Sequence, residues 1–156
     1  MCSGGGDESA ASDEIDCVAR AIEAMRARVR DSAPEVVRHD LMRLRRAIDR
    51  IELEFSAVAA IFANTDEEEW QGSGSPTQWL RGHCGLTSAA ASRAIVVGDE
   101  ARVLTQSYTA VEEGKLGVPH LSLMASTASA VRESPTPHAL QEGPLPELAL
   151  TTTPSR

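Results

Sequence analysis

An all-α fold is predicted by three observations: two apolar stripes at heptad spacing, three Ser/Thr-x-x-Glu/Gln helix starts, and a near absence of aromatic residues. Of 156 residues, 42% are hydrophobic but only 3% aromatic. The core must therefore be built from Ala, Leu, Val and Ile, which suits close-packed helices better than aromatic-rich strands. A chain of this length makes one domain and buries a core without help from a metal or disulfide. The expected architecture is a long helical hairpin (13–64) followed by a helix-turn-helix-like bundle (66–132). An unordered acidic N-terminus (1–12) and an unordered Pro-rich tail (133–156) are expected to flank it.

The first helix is read from Ile15, Val18, Ile22, Met25 and Val29, which recur alternately three and four apart. Asp31-Ser32-Ala33-Pro34-Glu35 closes it and opens the next. Ser32 is placed to cap, Glu35 sits three residues on, and Pro34 is tolerated in a first turn. The second helix carries the clearest pattern in the chain. Leu41, Ile48, Phe55 and Phe62 occupy one seam position, and Val37, Leu44, Ile51 and Val58 the other. Arg38, Asp40, Arg45, Glu52 and Glu54 flank them as charged edges. Two readings stay open at this point: an antiparallel hairpin with the first helix, or a self-associating coiled coil through Leu41, Leu44, Ile48, Ile51 and Phe55.

Thr65 with Glu68 forms a second capping box ahead of a short helix carrying Trp70, and Gly72-Ser73-Gly74 breaks it. Ser75-Pro76-Thr77-Gln78 is a third start, with Pro at the first helical position. That helix ends near Cys84, where Gly85 suits a left-handed turn, Leu86 plugs the corner and Thr87 caps the next helix. A helix, a Gly-containing turn and a second helix are the sequence form of a helix-turn-helix. Leu80, Cys84, Leu86, Ala91 and Ala94 sit where the two helices must touch. Arg81 departs from the pattern by standing where a small residue is usual. A last helix runs from Val118-Pro119 to about Val131, with Leu121, Met124, Ala125 and Ala128 facing inward; beyond it Pro135, Pro137, Pro144, Pro146 and Pro154 remove any periodicity.

Charge is distributed unevenly. The net −8 is concentrated in five acids within residues 1–16 and four at Asp66–Glu69, whereas residues 17–63 hold nine Arg against seven acids. An acidic chain disfavours tight nonspecific binding to nucleic acid, because phosphate neutralisation needs clustered cations. The arginines of the second helix, Arg43, Arg46 and Arg50 among them, are the one strip where phosphate contacts could gather; the alternative is a solvated helix face. In the helix-turn-helix segment, Ser88, Ser92 and Arg93 would approach base edges, with Arg93 as the strong reader. The competing reading is a structural tri-helical unit that touches no DNA.

No catalytic constellation is visible. His39, His83, His120 and His138 are scattered, and His83-Cys84 lacks a third ligand nearby, so no metal site and no cofactor are expected. Neighbouring acids at Asp99-Glu100 and Glu112-Glu113 read as solvated helix ends. There is no P-loop, dinucleotide-binding glycine motif or nucleophile elbow, and no small-molecule substrate suggests itself. Three widely spaced cysteines without a Cys-x-x-Cys pair fit a reduced cytoplasm, and no stretch is apolar enough to span a bilayer.

The quoted motifs resemble the N-terminal helical domain of the 13E12 repeat family, also described as domain of unknown function 222. They are Trp79-Leu80, Cys84-Gly85-Leu86-Thr87 with Ala90 and Ala91, Asp99-Glu100-Ala101-Arg102-Val103-Leu104, Thr109-Ala110-Val111, and Glu113-Gly114-Lys115-Leu116-Gly117-Val118-Pro119-His120. The resemblance covers roughly residues 35–131. It implies an all-helical domain serving a downstream HNH endonuclease module in DNA binding or assembly. No HNH constellation is present here, and the Pro-rich end reads as a truncated or frame-disrupted terminus, so nuclease activity does not carry over. The expected function is that of an accessory, non-enzymatic DNA-binding domain in the cytoplasm. Its rivals are a helical homodimerisation or protein-interaction module, and a nonfunctional remnant.

Overall fold

The computed structural model describes residues 7–29, 33–65 and 72–134. Among these the chain is all-α: α1 (Asp7–Val29), α2 (Pro34–Ala63), α3 (Pro76–Cys84), α4 (Ser88–Asp99), α5 (Thr105–Glu112) and α6 (Val118–Arg132), with one 3-10 turn (Glu100–Arg102) between α4 and α5. α1 starts at Asp7, so residues 7–12 are helical where unordered chain was expected. No Gly or Pro occurs between Asp7 and Val29, so no helix breaker stands within α1. Of the helix start expected at Thr65–Glu68, Thr65 is described and its hydroxyl donates to the Phe62 carbonyl at 2.6 Å. Ser32, residues 66–71 with Glu68 and Trp70, and residues 135–156 lie outside the described residues.

The chain divides into two compact units between Arg43 and Leu44, and α2 runs through the division. In the first unit Ile15, Val18 and Ile22 of α1 are exposed, as is Leu41. Arg26–Glu23 at 3.0 Å and Arg38–Glu35 at 3.4 Å are solvent-facing pairs one turn apart. Such pairs add at most a few tenths of a kcal/mol to a helix (~0.3–0.5).

The second unit holds the core. Leu53, Val97, Leu104, Val111, Leu116, Val118, Leu121, Met124, Ala125 and Ala128 form its main cluster, with Val96 and Tyr108 packed against it. The four residues expected to face inward from α6 are all buried. A second cluster of Ala59, Leu80 and Ala91, flanked by Trp79, Leu86, Ala94 and Ile95, joins the end of α2 to α3 and α4.

α2 enters this core by a face the periodicity did not single out. Within this unit its buried positions are Asp49, Leu53, Ser56, Ala59 and Ala60. Leu44, Ile48, Ile51, Phe55 and Val58, the expected packing stripe, are exposed, Ile51 at 52% and Val58 at 64%. At about 100° per residue, the two faces lie roughly a third of a turn apart. The reason is close approach. A Cβ built on Gly98 of α4 would stand 2.1 Å from the Ser56 carbonyl oxygen and 2.6 Å from the Ala60 Cβ. Only a face of small side chains admits a helix that near; Leu or Ile at those positions would hold α4 off.

Glu100, read from the sequence as a solvated helix end, is instead taken deep into the unit. Glu100 is 1% exposed and pairs with Arg132 at the end of α6, Nη1 to Oε1 at 2.6 Å. An unpaired carboxylate at that depth would cost several kcal/mol (~3–5), so Arg132 fixes the end of α6 over the 3-10 turn.

Candidate nucleic-acid interface

The α3–turn–α4 segment forms as its residue types dictate. Ser75 is extended and accepts from the Gln78 N–H at 3.2 Å, and Pro76 opens α3. Gly85 takes φ 67° and ψ 24°, the left-handed conformation that ends a helix without steric penalty in a residue lacking Cβ. Two residues later Thr87 Oγ1 accepts from the Ala90 N–H at 3.1 Å and starts α4. Leu80 and Ala91 are buried where the helices cross, and Leu86 and Ala94 are half-buried beside them. Cys84, expected in that contact, is exposed instead, because α3 ends there and the chain turns away. Arg81 is also exposed, so its bulk does not obstruct the crossing. Trp79 takes the bracing role: its ring lies 4.6 Å from Phe62 of α2 and stacks on His83 at 4.3 Å.

The outer face of α4 presents Ser88, Ala89, Ser92 and Arg93, all exposed. At about 100° per residue these four span an arc of roughly 140° over the N-terminal half, with Ser88 one turn from Ala91 at one edge and Arg93 one turn from Val97 at the other. Arg93 also borders a groove of about 220 Å³ between α2, α4 and the start of α6, shared with Arg45, Glu52, Phe55, Leu86 and Ala90. That volume lies below the ~300–1,000 Å³ of most small-molecule sites.

The expected phosphate strip on α2 is placed differently. Arg43 is exposed in the first unit. Arg50 donates through Nε and Nη2 to the Glu112 carbonyl at 3.3 and 3.1 Å, satisfying the C-terminus of α5. Arg46 lies over the turn that follows, where a Cβ on Gly114 would come within 2.6 Å of its Nε. Arg50 thus holds the end of α5, Arg46 lies beside the following turn, and neither lines the groove beside Arg93.

Asp49, adjacent to Arg50, has a role that sequence reasoning missed. It is buried, accepts from the Val118 N–H at 3.0 Å, and binds Arg45 Nη2 at 2.6 Å and Nε at 3.1 Å. α6 has no side-chain cap of its own, so α2 supplies the cap through space. Burial works against the charged carboxylate. The hydrogen bonds from Arg45 and Val118, with the Arg45 charge, outweigh burial and hold Asp49 below the usual carboxylate range. Residues 49 and 50 therefore complement both ends of one turn, an anion at the N-terminus of α6 and a cation at the C-terminus of α5, each matched to its helix dipole. No local signal marked it: Asp49 lies off the apolar stripe of α2, and its partner Val118 is 69 residues away.

Asn64 closes the arrangement from the end of α2, donating to the Ala60 carbonyl at 2.8 Å and to Asp99 Oδ1 at 3.3 Å. Tyr108 donates to the Val97 carbonyl in the last turn of α4. Burial, and secondly the Asp99 charge, push its hydroxyl up to about 12. Among the described residues no three His, Cys, Asp or Glu converge to hold a metal ion, and no helix is long and apolar enough to cross a membrane. Compared with known proteins, the chain matches no family model, no curated protein and no solved structure.

Proposed function

We propose that this chain is an accessory DNA-binding domain of the 13E12 type, laying the N-terminal half of α4 into the major groove and binding duplex DNA rather than cutting it. The observation that carries this reading is the common exposure of Ser88, Ser92 and Arg93 on one arc of a helix whose start is fixed by Gly85 and Thr87. Arg93 supplies the base contact, and the two serines and the free N–H groups at the start of α4 take phosphate or base acceptors. With Arg50 bound to the Glu112 carbonyl and Arg46 beside Gly114, away from α4, few cations remain for phosphate there, so affinity is modest and the role accessory. Fluorescence anisotropy on mixed-sequence duplex DNA tests it. Two to four phosphate contacts give a salt slope of about −2 to −4 in log K against log salt, and Arg93→Ala weakens binding by about 1–3 kcal/mol. No binding at ~50 mM salt, where phosphate contacts are strongest, overturns the reading.

A second reading is favoured by a separate observation: association through α2, whose Leu44, Ile48, Ile51, Phe55 and Val58 form an exposed apolar row. Exposed apolar patches of a few hundred Å² on a monomer mark interaction sites.

A further inference from the structure

We infer that the open stripe of α2 is covered by a second copy of this chain, antiparallel to the first, about a two-fold axis passing between Asp49 and Arg50; this rests on the association reading above. The stripe is closed at its C-terminal end within its own chain, because Phe62 packs on Trp79 at 4.6 Å. What remains open is centred on Leu44, Ile48, Ile51 and Phe55, all exposed. Ile48 and Phe55 hold one seam position, Leu44 and Ile51 the other.

An antiparallel pair sets unlike seam positions opposite each other. Ile48 then meets Ile51 of the second copy, and Leu44 meets its Phe55, each contact occurring twice as an isologous interface requires. The charged edges select this orientation. Arg45 and Glu52 lie on the same edge of α2, are about half exposed (51% and 48%), and pair with each other at 3.2 Å. Antiparallel packing brings that edge against itself, so each Arg45 reaches Glu52 of the second copy and two interchain ion pairs form. Parallel packing would set Arg45 against Asp40, a residue buried in its own chain at 6% exposure, and Glu52 against Ala47. It matches no accessible charges. The seam side chains offer on the order of 400 Å² per copy, about half of the ~800 Å² a standard interface takes from each partner, with the edges supplying more. That is the scale of a reversible dimer.

The test uses the full chain with Cys2, Cys17 and Cys84 replaced by Ser, carrying either Leu44→Cys alone or Leu44→Cys with Phe55→Cys. Both sites are exposed, and circular dichroism checks that helicity is kept. Within one helix, residues 44 and 55 are about 16 Å apart, too far for an internal disulfide. Sedimentation of the unaltered chain is expected to show dimer mass at high concentration. Mild oxidation is expected to cross-link the double variant as a covalent dimer and leave Leu44→Cys alone monomeric on a denaturing gel. A monomer at every concentration overturns both the association reading and this inference. Cross-linking through Leu44→Cys alone, or a dimer whose double variant never cross-links, overturns the antiparallel register and leaves association standing.

Discussion

Two helical glycines of the same chain should respond in opposite directions to the same substitution. Gly98 lies in the last turn of α4 where it crosses α2. An added Cβ would sit 2.1 Å from the Ser56 carbonyl oxygen, 2.6 Å from the Ala60 Cβ and 2.8 Å from the Ser56 carbonyl carbon. A carbon approaches a carbonyl oxygen no closer than about 3.3 Å, so α4 must retreat by roughly 1 Å. Two of the three clashing atoms are backbone, which cannot rotate away as a side chain does. A radial gap of ~1 Å forfeits about half of each dispersion contact along the crossing, and overpacking of this kind costs about 3 kcal/mol. The better helix propensity of Ala returns about 1 kcal/mol, leaving a net loss of about 2 kcal/mol. In a unit of ~100 residues that lowers the unfolding temperature by roughly 10 °C. Gly82, inside α3, has nothing within 4 Å of its added Cβ, and Gly82→Ala should stabilise by about 0.5–1 kcal/mol. Thermal and urea unfolding followed by circular dichroism measure both. Gly98→Ala as stable as the parent, or the two variants shifting alike, would refute the close α2–α4 crossing and with it the placement of α4.

Tyr108 is the chain's one tyrosine, so its phenolate absorbance reports a single group; the titration should centre near 12 and not at the ordinary ~10. Its contribution to stability is complete below pH ~10, shrinks as the unfolded chain ionises first, and is gone above about 12; Tyr108→Phe should abolish that alkaline slope, and an ordinary midpoint would count against the buried bond to Val97. Asp49 has a lowered pKa, so its contribution is present above pH ~4 and falls away as acid takes the pH down through that lowered value. Asp49→Asn should flatten the acid limb of stability and cost about 1–3 kcal/mol at neutral pH; an unchanged acid limb would remove Asp49 as the cap of α6.

The helix ends were legible because they depend on neighbours in sequence. Ser75 with Gln78, Gly85 as a left-handed terminator and Thr87 as a cap all follow from residue type and spacing of three, and the structure forms each as its chemistry requires. The inward face of α6 was legible for the same reason: Leu121, Met124, Ala125 and Ala128 repeat at helical spacing. The exposure of Arg93 follows from its offset to Ala91 along one helix, whereas Ser88 stands only one turn from Ala91 and is exposed nonetheless. Asp49 was not legible, since its partner Val118 is 69 residues away and no local pattern links them.

By itself, then, the sequence determined the all-α class, the α3–α4 turn and the composition of each helix face, because helix propagation, caps and periodicity are set within a few residues. Tertiary structure alone decided which face of α2 is buried. Periodicity marks the most apolar stripe, Leu44 through Val58, but burial against α4 went to Ser56, Ala59 and Ala60, where small side chains allow backbones to approach. It also decided that Arg50 secures the end of α5, because the Glu112 carbonyl it meets is brought to α2 only when the chain folds back on itself. Hydrophobicity is a property of residues, whereas closeness of approach is a property of pairs of surfaces.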